Sequence, residues 1–144
     1  MAGLTIDDAM PSIIDAKTHG LIDYIHAGTN FLAAALFRKN RRARNAALAL
    51  GAGVLANALM TDYPLGVFRL YSFKVHGILD YGVATASAVL PALLGIENSA
   101  PTKYFRMQGA GETVIAGITD YDDDSGAVRQ RGRLEKRFER RRAA

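Results

Sequence analysis

The stretch that decides the fold is Lys17-Thr-His-Gly-Leu-Ile-Asp-Tyr24, because it occurs twice in the chain. Lys74-Val-His-Gly-Ile-Leu-Asp-Tyr81 repeats it 57 residues later, with Lys, His, Gly, Asp and Tyr in the same places. A shorter string also recurs, as Thr61-Asp-Tyr63 and Thr119-Asp-Tyr121. The sequence therefore predicts two tandem copies of one unit, each with its ionisable residues at matching points.

Length and composition limit the classes of protein and of site. The 144 residues are enough for one helical domain, and the chain has no cysteine, which excludes thiolate metal sites and cysteine nucleophiles. Catalytic triads, phosphate-binding glycine loops and dinucleotide fingerprints are also missing from the sequence. The net charge of +4 is unevenly distributed, since most of the basic residues fall within 38–44 and 129–142.

Each copy reads as two helices, because long Ala- and Leu-rich runs without strand alternation end at Pro64 or at a polar break. The predicted division of the chain is a lead-in (1–16), repeat 1 (17–63), an aromatic interfacial connector (64–73), repeat 2 (74–121) and a basic tail or helix (122–144). The segment 38–44 is expected to form the loop of the first repeat.

Two runs, Asn45–Thr61 and Gly82–Ile96, carry no charged residue at all. A soluble bundle shows a charged face on each helix, whereas membrane helices pack through small residues such as those that line these runs. The predicted fold class is thus all-α: a four-helix transmembrane bundle built from two tandem two-helix repeats. The alternative is a soluble Ala-rich bundle that buries these faces in an oligomer.

Four spans would place both termini on the same side of the membrane. The positive-inside rule is indecisive here, because the first loop and the tail are both basic. Our interpretation is a multi-pass protein of the inner membrane with cytoplasmic termini. The basic runs are expected to contact anionic lipid headgroups, and a larger membrane complex or a homo-oligomer is a further partner. Nucleic acid is disfavoured, because the basic runs lack interleaved aromatic residues for base stacking.

The repeated His-Gly-x-x-Asp-Tyr motif, followed by Thr61-Asp-Tyr-Pro-Leu-Gly66 and Arg69, resembles the SPW-repeat family of small bacterial and archaeal membrane proteins over roughly residues 17–121. That family places a Ser-Pro-Trp string at the end of the first helix of each half. This chain has Leu90-Pro91-Ala92 there in its second half, and it contains no Trp. The resemblance implies two membrane helices per half in a divergent member, and it implies no activity.

The paired motifs begin the first helix of each half and the Thr-Asp-Tyr strings end the second, so an up-down bundle brings them to one end. We call this set of ionisable residues the His/Asp collar: His19, Asp23, Asp62, His76, Asp80 and Asp120. Within each motif, His and Asp are four residues apart and share a helix face. The collar is interpreted as a polar layer that sets register, or as a binding site.

Two residues break the repeat: His26 corresponds to Val83, and Glu112 corresponds to Val54. His26 lies about 10.5 Å inward from His19, and Glu112 lies a similar distance from the end of its own helix at ~1.5 Å per residue. Ionisable residues at such depth are costly and usually partnered. The sequence therefore predicts that His26 and Glu112 contact each other or share a ligand.

The chain also offers ligand sets for a cofactor. Asp23, His26, Asp80 and Glu112 could bind a metal ion, since Asp23-x-x-His26 has the carboxylate–histidine spacing of di-metal bundles. His19 and His76, related by the repeat, could be axial ligands of a haem. His26 and Glu112 could instead form a proton relay or contact a quinone.

Three functions follow from these observations. The first is a small non-enzymatic integral membrane protein, a scaffold or accessory subunit with the collar at one membrane face. The alternative is a metal-, haem- or quinone-binding redox membrane protein that uses His26, Glu112 and the collar. The third is a soluble helical bundle that binds nucleic acid through its basic tail.

Overall fold

The chain is mostly helical, as predicted. A computed structural model describes residues 12–96, 99–123 and 139–142. Most of the predicted lead-in and of the basic tail lies outside these residues. The long helices are α1 (Ala16–Leu36), α2 (Arg41–Met60), α3 (Phe73–Leu93) and α4 (Ala100–Gly117), and residues 139–142 form one further helical turn.

Three of the four helices begin at a residue whose side chain accepts a hydrogen bond from the backbone N–H three residues on: Asp15, Asn40 and Ser72. Such caps satisfy one of the free N–H groups at a helix start. The cap at Asn40 lets α2 begin at Arg41, four residues before the predicted start. Part of the basic segment 38–44 is therefore helical, and the loop between α1 and α2 is shorter than predicted.

Two very short backbone pairings connect the halves. Strand β1 (Thr61–Asp62) pairs in parallel with strand β2 (Tyr71–Ser72), with Thr61 opposite Tyr71. In the same way Ile14 pairs with Thr119. The segment that enters each half thus pairs with the segment that leaves the other half. The sequence did not predict these pairings, because two residues are too few to show strand alternation.

The helices form two antiparallel hairpins, α1 with α2 and α3 with α4, and α2 packs on α3. Apolar side chains fill the end near the hairpin loops, where Phe105 packs among small residues of α1 and α2 such as Ala33 and Ala47. A second apolar cluster at the opposite end contains Ala16, Ala58, Tyr63 and Phe73. The polar residues of the interior lie along the helices that join these two clusters.

Polar and apolar side chains are distributed inside out relative to a water-soluble bundle. The interior contains His19, Asp23, His26, Asn30, Asn57, His76, Asp80, Ser87 and Glu112. Large apolar side chains point outward on all four helices: Leu21, Ile25, Leu32 and Leu36 on α1, Leu48 on α2, Ile78, Val89 and Leu93 on α3, and Met107 and Val114 on α4. Leu36, Leu93 and Met107 are 72%, 76% and 74% exposed.

Among the described helices, α2 is the one that is both long and apolar enough to cross a membrane by length and composition alone. The all-α fold is shown, whereas membrane crossing by all four helices is a proposal. Polar side chains lower the mean hydropathy of the other helices. For example, α1 contains His19, Asp23 and His26, and α4 contains Arg106 and Glu112.

Candidate functional site

The ends of α1 and α3 bring four ionisable side chains into direct contact. We call His19, Asp23, His76 and Asp80 the His/Asp centre; all four are buried. The two histidine Nε2 atoms lie 3.1 Å apart. Each carboxylate contacts both rings: Asp23 lies 3.3 Å from one Nε2 and 3.2 Å from the other, and both distances from Asp80 are 3.2 Å.

The tautomer of each histidine follows from its other ring nitrogen. The Thr119 hydroxyl donates to the carbonyl of Ile115, one turn back in the chain. Its single hydrogen is therefore used, so at 2.8 Å it accepts a hydrogen bond from Nδ1 of His19. Thr61 fixes Nδ1 of His76 at 2.7 Å in the same way, because its own hydroxyl donates to a helix carbonyl. Both imidazoles are thus protonated at Nδ1 and direct Nε2 into the centre.

Two tyrosines close the centre from outside the helices. Tyr63 donates to Asp23 at 3.3 Å, and Tyr121 donates to Asp80 at 2.8 Å. Burial, together with the neighbouring carboxylate charge, raises the pKa of both tyrosine hydroxyls, which keeps them protonated as donors. Asn57 adds a third donor, at 3.0 Å from Asp80.

These contacts explain why the Thr-Asp-Tyr string recurs. In each copy, Thr orients the histidine of the other half and Tyr donates to the aspartate of its own half. The middle residues, Asp62 and Asp120, were predicted to lie at this end of the bundle, and they do, but neither contacts the histidines. Asp62 instead forms an ion pair with Arg69 at 3.1 Å, and Asp120 accepts from the backbone of Asp122. Both middle residues lie at the same end of the bundle but outside the His/Asp centre.

The glycine after each histidine accommodates a tyrosine ring. A Cβ atom at Gly20 would lie 2.5 Å from the ring of Tyr63, and one at Gly77 would lie 2.8 Å from the ring of Tyr121. The close neighbour at each of these glycines is therefore an aromatic side chain rather than another helix.

We expect Gly20→Ala and Gly77→Ala each to lower the free energy of unfolding by about 1–3 kcal/mol, because the added methyl group displaces a tyrosine that donates to the centre. The matched controls are Gly28→Ala in α1 and Gly82→Ala in α3, where a Cβ meets nothing within 4 Å. Those changes should be neutral or stabilising by up to about 1 kcal/mol through helix propensity. Thermal unfolding followed by circular dichroism measures all four variants. Equal effects at tight and open positions would contradict this account.

The structure separates the metal-ligand set suggested by the sequence. Asp23 and Asp80 belong to the His/Asp centre, whereas His26 and Glu112 pair with each other. Within the described residues, the His/Asp centre is the cluster of three or more potential ligands that could hold one ion. The predicted set of Asp23, His26, Asp80 and Glu112 is therefore corrected to His19, Asp23, His76 and Asp80.

A haem between His19 and His76 does not fit this geometry. Axial imidazoles lie on opposite faces of the porphyrin, so the ring needs free space around the line that joins the two nitrogen atoms. Here that line is only 3.1 Å long, and the carboxylates of Asp23 and Asp80 flank it. The prediction of a haem at this position is corrected for that reason.

The predicted contact between His26 and Glu112 is confirmed. His26 Nδ1 lies 2.9 Å from a carboxylate oxygen of Glu112, and both side chains are buried between α1 and α4. His26 Nε2 is buried as well, and no hydrogen-bond partner for it exists in the part of the chain that the structure describes. Whether the pair binds a ligand stays a prediction.

A chain of hydrogen bonds continues this contact between α1 and α4. The Asn30 amide donates to the carbonyl of His26, and the Tyr104 hydroxyl donates to the side-chain oxygen of Asn30 at 3.1 Å. Gln108 in turn donates to Tyr104 at 2.7 Å and to Thr29 at 3.2 Å. The sequence gave no signal for Tyr104 or Gln108.

Comparison of the chain with protein-family models, curated proteins and solved structures finds no match.

Proposed function

We propose that the chain is a small integral membrane protein of four spans, a scaffold or accessory subunit in which the His/Asp centre joins two helical hairpins. The observation that carries this proposal is the inside-out distribution of side chains. Leu, Ile, Val and Met residues line the outer surfaces of all four helices, and the ionisable side chains of the centre are buried. A surface of this kind suits a hydrocarbon solvent.

The lengths of the helices support the same proposal. The 21 residues of α1 and of α3 correspond to about 31 Å, and the 18 residues of α4 correspond to about 27 Å. The hydrocarbon core of a bilayer is about 30 Å thick. Polar residues in α1, α3 and α4 do not argue against insertion, because ionisable residues in membrane helices characteristically face the bundle interior and pair there.

A structural role for the centre is supported by its closure. Tyr63, Phe73 and Tyr121 pack around the histidine rings, with ring-centroid separations of 5.3–5.6 Å. Each histidine is oriented by a threonine of the other half. Within the described residues, the four side chains of the centre are at most 3% exposed, so the centre joins the halves and offers a substrate no exposed position. For this reason we favour a non-enzymatic role over the redox alternative.

The proposal includes partners and a location. Basic side chains collect at the loop end of the bundle, opposite the centre: Arg38, Lys39, Arg41, Arg42, Arg44 and Lys103. We propose that both termini lie on the cytoplasmic side, so that these side chains contact anionic lipid headgroups at the periplasmic face of the inner membrane. The apolar outer surface contacts lipid, a larger complex or a second copy. No family match supports the SPW-repeat resemblance, which stays part of the proposal.

Membrane fractionation tests the location. After expression and lysis, the protein should sediment with membranes, remain there through an alkaline carbonate wash, and be released by mild detergent. Recovery in the soluble fraction, as folded protein without detergent, would exclude the membrane proposal and favour a soluble bundle.

Two lysine substitutions test whether the outer surface of α1 faces lipid or water. Ile25 lies near the middle of α1 and is 58% exposed. At the centre of a membrane span, Ile25→Lys should cost about 2.5–3.5 kcal/mol of insertion free energy. On a surface in water, the same substitution should change the free energy of unfolding by no more than about 0.5 kcal/mol. Val67→Lys, in the connector and similarly exposed, is the control. The measurement is the amount of each variant in carbonate-washed membranes, and equal recovery of the two would count against a lipid-facing α1.

A further inference from the structure

We propose that the His/Asp centre binds one divalent first-row transition-metal ion, of the Zn²⁺, Fe²⁺ or Mn²⁺ class, through Nε2 of His19 and His76 and the carboxylates of Asp23 and Asp80. The inference deepens the scaffold proposal, since the ion becomes the tie between the hairpins. It does not depend on whether the helices lie in a membrane.

The spacing of the donor atoms is that of a coordination shell. A tetrahedral ion with bonds of about 2.0 Å holds its ligand atoms about 3.3 Å apart. The two Nε2 atoms are 3.1 Å apart, and the four nitrogen–oxygen distances are 3.2–3.3 Å. One ligand atom from each of the four residues can be chosen so that all lie within 4.8 Å of one another. The four nitrogen–oxygen contacts use all four carboxylate oxygens, so each carboxylate places one oxygen against each histidine nitrogen.

The same distances are less suitable for hydrogen bonds. Charge-assisted N–H···O bonds between imidazolium and carboxylate are about 2.7–2.9 Å long. The contact between His26 and Glu112 lies in this range of lengths, at 2.9 Å. All four histidine–aspartate distances in the centre are longer by 0.3–0.4 Å, the difference between 2.9 Å and 3.2–3.3 Å.

The orientation of the rings points to the same conclusion. Because both Nδ1 atoms donate to threonine hydroxyls, an imidazole that binds an ion in its neutral form has its lone pair at Nε2, and both Nε2 atoms point between the carboxylates. Metal-binding histidines almost always donate their second nitrogen to a fixed acceptor in this way. The tyrosines and Asn57 donate to the carboxylates, which are likewise held in place.

Charge balance favours a divalent ion. Two carboxylates give the centre two negative charges, which are costly in a buried site unless they are compensated. A divalent ion compensates both while the imidazoles remain neutral ligands. Protonation of both histidines would give the centre the same net charge, but it would place two imidazolium N–H groups against each other across 3.1 Å. Two nitrogen and two or more oxygen ligands suit Zn²⁺, Fe²⁺ and Mn²⁺.

The test is metal analysis of protein purified in mild detergent, without a histidine tag or a metal column. We expect close to one equivalent of Zn, Fe or Mn by mass spectrometry. After removal by a chelator, added Co²⁺ should give the visible ligand-field bands of a four- or five-coordinate ion in the wild type. His76→Gln and Asp80→Asn should each lower ion binding at least tenfold.

The matched control is His26→Gln, which alters the third histidine of the chain and its carboxylate pair but leaves the centre intact. It should retain the metal and the Co²⁺ spectrum. If the centre variants do not fold, the wild-type reconstitution alone decides. No stoichiometric binding of Zn²⁺, Mn²⁺, Fe²⁺ or Co²⁺ to the wild type would overturn the proposal, and so would undiminished binding by a folded Asp80→Asn. Membrane fractionation is a separate measurement, so failure of either proposal can be recognised without the other.

Discussion

The double substitution His26→Val with Glu112→Val should give a protein as stable as the wild type or more stable, while each single substitution should be strongly destabilising. Removing one partner leaves the other as a buried ionisable group without its partner, and breaking a buried pair in this way costs about 3–5 kcal/mol. Removing both and filling the space with apolar atoms is often neutral or stabilising by about 1–4 kcal/mol. Valine is the natural choice, since Val83 and Val54 occupy the corresponding positions of the other copy.

Unfolding of the four proteins, wild type, two single variants and the double variant, measures the coupling directly. A double variant as unstable as either single one would show that the pair is required by its surroundings. Asn30 and Tyr104 would then be the first residues to examine, because their hydrogen bonds run along the same seam.

The second large effect is expected from Asp80→Ala, which should lower the free energy of unfolding by about 3–5 kcal/mol. The change removes one of two buried carboxylates and leaves the donors Tyr121 and Asn57 without their acceptor. Because Asp80 contacts His19 as well as His76, both hairpins should lose stability together in a single transition. The measurement is chemical unfolding followed by circular dichroism.

Asp62→Ala is the matched control for this experiment. Asp62 belongs to the repeated strings and lies at the same end of the bundle, but its ion pair with Arg69 is partly exposed. Such pairs contribute up to about 1 kcal/mol. If Asp62→Ala were as destabilising as Asp80→Ala, the end of the bundle as a whole would determine stability, rather than the His/Asp centre.

Much of the site follows from the repeat in the sequence. The matched motifs predicted that His19, Asp23, His76 and Asp80 meet at one end, and the depth argument predicted the contact of His26 with Glu112. Both predictions depend on distance along a helix axis, which the sequence gives through a constant rise per residue.

Predictions that needed the rotation of a side chain about a helix axis, or the path of a loop, were less successful. Asp62 and Asp120 have the right depth for the collar, yet they lie just past their helix ends, where the chain turns outward. The metal-ligand set was corrected for the same reason. Asp23 and His26 are three residues apart on α1, but Asp23 contacts the histidines of the centre and His26 contacts Glu112. The recurrence of Thr61 and Thr119 indicates that they have a shared role. The three-dimensional structure shows that each one orients the histidine of the opposite half.

That crossed arrangement has a consequence for a hairpin on its own. A single hairpin carries one His, one Asp, one Thr and one Tyr of the set, but its Thr is positioned for a neighbour's His. One hairpin alone therefore leaves its histidine without the threonine that orients it, and two hairpins related by a twofold axis are the smallest unit that completes the centre.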